Sequence, residues 1–147
     1  MTLSLSASRA LILFGALFCV DRFSKIVALF LFSEHPTMVI PGVLQFSLYL
    51  HTKFFSVDPT LLALIGFVLV GLFFIAALTL LPDRKSRAVF WIALIAAGAV
   101  SNFLDVLRYG SIIDWIEIPR LTFFNGSDTF IIGGCIGLFF SLFRKKI

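Results

Sequence analysis

Charge is scarce in this chain, and so are the side chains of most catalytic chemistries. Only 14% of its 147 residues are charged, against about 25% in a typical soluble domain. There are two cysteines, Cys19 and Cys135, each inside an apolar run. They have neither metal-ligand spacing nor the pattern of a disulfide framework, and read as small core or lipid-facing residues. The two histidines, His35 and His51, stand alone in loop-type sequence and read as surface residues. Nothing resembles a Ser/His/Asp or Cys/His nucleophile set or a phosphate-binding loop. No basic patch of the kind that binds nucleic acid is present either.

What the chain has instead is hydrocarbon. It is 60% hydrophobic, with a mean hydropathy of +1.07 and 19 phenylalanines. A soluble domain is about 45–50% apolar. Four stretches are long enough to cross a hydrocarbon layer about 30 Å thick. They cover about 11–32, 60–81, 88–107 and 126–143. The first begins like a signal peptide, with Arg9 and then Ala10 to Val20, but no A-x-A-like cleavage site follows, so it reads as a membrane helix. Asp21 and Lys25 lie four apart on its face, with the acid first, the favourable order for a helical ion pair. The third stretch turns small at Ala96-Ala97-Gly98-Ala99, which lets helices approach closely in membranes.

Basic residues set the orientation. Arg9, Arg84, Lys85, Arg87, Arg144, Lys145 and Lys146 fall on one side; Lys53, Arg108 and Arg120 fall on the other. The Lys/Arg-rich side is cytoplasmic. The expectation is an all-α integral membrane protein, a single membrane domain over 1–147. It has four transmembrane helices, both termini cytoplasmic, and two long loops facing outward. Gln45 to His51 alternates, with Phe46, Leu48 and Leu50 on one side and Gln45, Ser47, Tyr49 and His51 on the other. Period two predicts a strand. A strand alone in lipid leaves its backbone unpaired, so it pairs with another loop segment, and Ile112 to Ile118 also looks extended. The two form a small extended platform from the outer loops.

The acids concentrate between Ser101 and Asp128. Asp105, Asp114 and Asp128 lie there, with Asn102 and Asn125 beside them. Ionisable groups at membrane depth pair with one another, face a wet cavity or do chemistry. Two close carboxylates share a proton and then work as an acid and a base, the logic of aspartic proteases. Three carboxylates holding a divalent cation are a second reading. The ordinary readings are Asn125 as the cap of the fourth helix, with Asp128 in its first turn, and Asp105 with Arg108 as a helical pair.

Three short motifs, in order, resemble the lipoprotein signal peptidase (type II signal peptidase) family. Asp21-Arg22-Phe23-Ser24-Lys25 is similar to D-Q-x-[ST]-K. Ser101-Asn102-Phe103-Leu104-Asp105 and then Gly110-Ser111-Ile112-Ile113-Asp114-Trp115 are similar to G-N-x-x-D-R and G-x-V-x-D-F. Phe124-Asn125-Gly126-Ser127-Asp128 is similar to F-N-x-A-D. The resemblance implies a multi-pass aspartyl endopeptidase of the bacterial cytoplasmic (inner) membrane, with its site near the outer face. Asp114 and Asp128 would be the catalytic pair, framed by Asn102, Asp105 and Asn125. Asp21 and Lys25 would support helix packing or the substrate's end of the cavity. The substrates would be diacylglyceryl-modified prolipoproteins cut before the lipidated cysteine, amid membrane lipids, with no cofactor, no metal and no nucleic acid. A catalytically silent relative that binds lipidated segments and a small proton-coupled carrier are the alternatives.

The departures from the pattern are specific. Ser101 stands where the family has Gly, Arg22 where it has Gln, Ser127 where it has Ala, and Trp115 where it has Phe. Val106 stands where the family has Arg, and Arg108 is the residue available to replace it beside Asp105. His51-Thr52-Lys53-Phe54-Phe55 is the stretch nearest to the family's first-loop N-x-G-x-x-F.

Overall fold

A computed structural model of the protein describes residues 5–51, 61, 64–66, 68, 71 and 88–143. Helix α1 covers Leu5–Leu31, α2 covers Ala88–Tyr109 and α3 covers Gly126–Phe143. Strands β1 (Thr37–Ile40) and β2 (Leu44–His51) follow α1, and β3 (Ile112–Ile118) and β4 (Thr122–Phe124) lie between α2 and α3. These helices fall on the first, third and fourth apolar stretches. Of the second stretch, only positions 61, 64–66, 68 and 71 are described, and all are helical. The Pro82 to Arg87 turn, Lys53 and the Arg144 to Lys146 tail lie outside the described residues.

Among the described residues one helix, α2, is long and apolar enough to cross a membrane, and a shorter apolar helix covers Gly126–Ser141. Polarity runs opposite to that of a water-soluble core. Phe23 and Phe30 of α1, Leu107 of α2 and Ile132, Phe139 and Phe140 of α3 are exposed, whereas Asp21, Lys25, Asn102, Asp105, Asp114 and Asn125 are buried. Buried charge needs partners, so the polar interior demands a closed hydrogen-bond network.

The α2–α3 contact explains why small residues sit where they do. A Cβ on Gly98 would collide with the Ser127 carbonyl and Ile131, and one on Gly137 would enter the Trp91 ring. Ala88, Ile92, Ile95 and Leu138 form the apolar core of this contact, with Trp91 packed against them. The close approach brings the start of α3 against the last turns of α2, where Asn102 and Asp105 lie. At the end of α2, Gly110 takes φ 66° and its N–H donates to the Val106 carbonyl at 2.9 Å. That left-handed residue ends the helix and turns the chain directly into β3.

The four strands form one antiparallel sheet in the order β1-β2-β3-β4. The expected pairing of the Gln45–His51 strand with a loop segment is the β2–β3 pair. The expected two faces of β2 are not what the chain adopts. Phe46 pairs with Ile116 and Tyr49 with Asp114, so three steps on β2 meet two on β3. This is a β-bulge, which inserts one residue and shifts the alternation. Cross-strand partners share a face, so Tyr49, and His51 two residues on, lie on Asp114's side together with Phe46. Ser47 is buried while Leu50 is exposed. Ser47 Oγ donates to Glu117 at 2.5 Å, and Gln45 Nε2 donates to the same carboxylate. The Phe32, Phe46 and Trp115 rings, 5.3–6.4 Å apart between centroids, dock the sheet on the end of α1.

Candidate active site

Asn125 is where the site is assembled. As residue before α3, it caps the helix: its Oδ1 accepts from the Asp128 N–H at 3.0 Å, and Asp128 Oδ2 accepts from the Asn125 N–H at 3.1 Å. This reciprocal bond is the capping-box geometry, with Asp in place of Glu three residues in. The Asn125 amide is still free to donate. It gives hydrogen bonds to Asp114 Oδ1 at 2.7 Å, Asn102 Oδ1 at 3.2 Å and the Ile113 carbonyl at 3.2 Å. One side chain therefore fixes the first residues of β3, which include Asp114, against the start of α3, which carries Asp128. Asn102 closes the ring from α2, donating through Nδ2 to Asp128 Oδ1 at 2.9 Å. Through Asn125 and Asn102 the two carboxyl groups are joined in one hydrogen-bonded frame. Asp114 is buried and Asp128 is half-buried, so the pair is open on Asp128's side.

Lys25 holds the frame from below. It is fully buried. Its ammonium donates to Asn102 Oδ1 at 2.6 Å and pairs with Asp105 Oδ2 at 2.6 Å and Asp21 Oδ2 at 3.0 Å. Two carboxylates and one amide thus satisfy a buried cation, and α1 is tied to α2 at the level of the site. The expected Asp21–Lys25 helical pair is present, on the packing side of the network. Asp105 reaches further, accepting from the Ile113 N–H at 3.4 Å, which fixes the strand immediately before Asp114.

The residues that depart from the family pattern are joined here. Ser101 Oγ and Ser127 Oγ each donate to Asp21 Oδ2 at 2.6 Å, so the two hydroxyls that replace Gly and Ala share one acceptor. Arg22 Nη1 pairs with Asp105 Oδ1 and donates to the Ser101 carbonyl at 3.1 Å. The expectation that Arg108 stands beside Asp105 is corrected: the guanidinium paired with Asp105 Oδ1 is that of Arg22 from α1, while Arg108 is exposed, its guanidinium 5.4 Å from the centre of the Tyr109 ring. His51 is corrected as well. It is not a lone surface residue: its Nδ1 lies 2.5 Å from Asp114 Oδ2. No motif in the sequence marks it, and the bulge in β2 hides which face it takes. His35 is exposed, as are both free cysteines. Among the described residues no three His, Cys, Asp or Glu are grouped to hold a metal ion.

The fold and site thus define a helical protein with a small sheet at one end and a buried carboxylate–amide cluster at their junction. A family model described as signal peptidase (SPase) II matches residues 13–144, and the chain belongs to that family. A lipoprotein signal peptidase of Pelotomaculum thermopropionicum is 35% identical over 106 residues, 72% of this chain and 64% of that one. That of Deinococcus radiodurans is 35% identical over 67% of this chain and 59% of its own length. The matched region thus spans about three-fifths of these relatives. That of Caldicellulosiruptor bescii is 25% identical over 87% of this chain and 86% of that one. Two solved structures, each described as a bacterial membrane enzyme, share the fold. One has a TM-score of 0.77 at 19% identity over 95% of both chains; the other has 0.73 at 18%, over 95% of this chain and 94% of that one.

Proposed function

We propose that this chain is an intramembrane aspartyl endopeptidase that cuts diacylglyceryl-modified prolipoproteins before the lipidated cysteine. The observation that carries the reading is the Asn125 amide, which holds Asp114 while its own cap holds Asp128. Family membership supports the substrate class. The Lys and Arg distribution supports four spans with both termini in the cytoplasm and the carboxylates near the outer face of the bacterial inner membrane. An intramembrane site suits a lipidated substrate, because the acyl chains stay in the bilayer while the peptide reaches the carboxylates.

Hydrolysis needs only water. Asp114 takes a proton from the water as its oxygen bonds to the scissile carbonyl carbon. Asp128 gives its proton to the carbonyl oxygen. The tetrahedral intermediate then collapses: the C–N bond breaks, the leaving nitrogen takes the proton held on Asp114, and Asp128 recovers its own. Asn102, Asn125 and Lys25 keep the two carboxyls in place through the cycle, which is the preorganisation that such chemistry depends on.

The test is cleavage of a diacylated prolipoprotein by the purified protein beside Asp114→Asn and Asp128→Asn. The expected result is cleavage by the native protein and none by either variant. Failure of the native protein under conditions where another family member cuts would remove the enzyme reading and favour a silent lipid-segment binder. Equal cleavage by all three would keep the activity and remove the pair.

A further inference from the structure

The two carboxylates of the site are held by different kinds of donor. Asp128 accepts from the Asn102 side-chain amide and from a backbone N–H, at 2.9 and 3.1 Å. Asp114 accepts from the Asn125 amide through Oδ1, and its Oδ2 faces His51 Nδ1 at 2.5 Å. An ionised carboxylate has no proton to give, so in that state the proton of this contact sits on the imidazole. The ring is placed for the task. His51 is two residues beyond Tyr49, which pairs with Asp114 across the sheet, so the imidazole reaches the carboxylate diagonally. Tyr49 packs edge-on against it at 4.6 Å and is stacked on Phe123 of β4 at 4.6 Å. The imidazole side chain is 27% exposed, so water reaches it. The titratable groups facing it include Asp114 from β3 and Tyr49 from its own strand, with Asp128 of α3 beyond Asn125.

We infer that His51 is a positioning residue that makes the carboxylate pair unequal. Its Nδ1–H holds Asp114 as the ionised member that receives a proton from water, and leaves the shared proton on Asp128. Asp114 thus has a ring N–H donor in addition to the Asn125 amide, whereas Asp128 has amide and backbone donors alone. The inference rests on the reading of Asp114 and Asp128 as the hydrolytic pair. It also gives a role to a residue of the His51-Thr52-Lys53-Phe54-Phe55 stretch, which departs from the family's N-x-G-x-x-F. An amide in its place, as in His51→Asn, keeps a hydrogen bond and cannot take up or release a proton.

The experiment compares the native protein with His51→Asn and His51→Ala on a diacylated prolipoprotein, across the pH range in which imidazole titrates. His51→Asn is expected to cleave with kcat about tenfold lower and KM unchanged, the size of one acid–base contribution's partial loss. The shape of the kcat–pH profile is expected to change in both variants, while the alkaline loss that comes from ionisation of the proton donor Asp128 remains. Imidazole ¹⁵N spectra of the native protein are expected to show the proton on Nδ1, and Asp114→Ala is expected to release it. A purely structural role lowers activity equally at every pH and overturns the inference, as does an imidazole spectrum unmoved by Asp114→Ala in a protein that cleaves. Absence of cleavage by the native protein instead overturns the hydrolytic reading, and with it any catalytic consequence of His51.

Discussion

Arg22 of α1 and Asp105 of α2, 83 positions apart in the chain, form an ion pair inside the helix packing. In the family pattern the corresponding cation follows the aspartate on the same helix. Here that position is Val106, which is buried, and the cation comes from the neighbouring helix at a position where the family has Gln. The charge has been moved across the interface and not lost, with Ser101 supplying a carbonyl and a hydroxyl for the relocated guanidinium. Arg22→Gln is therefore expected to lower stability by about 1.5–3 kcal/mol, the range for a hydrogen bond to a charged group. Arg108→Gln is expected to change it by less than about 0.5 kcal/mol, as for ordinary surface positions. Unfolding in mild detergent measures both, and a larger loss for Arg108→Gln would reverse the assignment.

Lys25 predicts a more severe effect. Its side chain and those of Asp21 and Asp105 are all buried. Lys25→Met leaves Asp21 without its cation and Asp105 with Arg22 alone. Removing one partner of a buried pair is worth about 3–5 kcal/mol. The expected outcome is loss of folded protein on extraction from the membrane. The double variant Lys25→Met/Asp21→Leu should recover part of the yield, because it removes the orphaned charge as well. No recovery in the double variant would mean that the ammonium's bond to Asn102, and not charge balance, is what holds α1.

The parts of this site visible in the sequence are those set by local spacing. Asn125 and Asp128 are three apart, as are Asn102 and Asp105, and Asp21 and Lys25 are four apart, so helical geometry alone puts each pair on one face. The ordinary reading of Asn125 and Asp128 as helix cap and first-turn acid is correct in geometry, and the same cap is what orients the carboxylate. The features that stayed hidden cross between elements. Nothing local relates Arg22 to Asp105, and one inserted residue in β2 reverses the side taken by His51. The Ser101 and Ser127 departures looked independent because their shared acceptor, Asp21, is on a third helix.

Asn125 separates stability from activity. Asn125→Ser keeps a capping oxygen and removes the amide that donates to Asp114, Asn102 and Ile113. Asn125→Ala removes both. The alanine variant is expected to be less stable than the serine variant by about 1 kcal/mol, the usual contribution of a cap. The two are expected to lose cleavage to the same extent, because each has lost the tie between the carboxylates. Parallel unfolding and cleavage measurements check this. Activity that follows stability, with serine well above alanine, would show that the cap matters and the amide bridge does not.

The site also depends on a helix contact that no carboxylate makes directly. Gly98 lies one turn before Asn102 on α2, and a Cβ there would collide with the Ser127 carbonyl and Ile131 near the start of α3. Any larger residue pushes those helices apart at the point where Asn102 must reach Asp128. Overpacking of this kind typically destabilises by about 1–3 kcal/mol. A displacement of about 1 Å at a catalytic group lowers rate about a hundredfold. Gly98→Leu is therefore expected to lose more activity than its stability loss accounts for. Gly15 is the control, since a Cβ there meets nothing within 4 Å, and Gly15→Ala should leave cleavage unchanged and stability equal or higher, as for glycine-to-alanine changes within helices. The check is kcat for both variants at a temperature where each is fully folded. Native kcat in Gly98→Leu would mean that the Asn102–Asp128 distance does not limit the reaction.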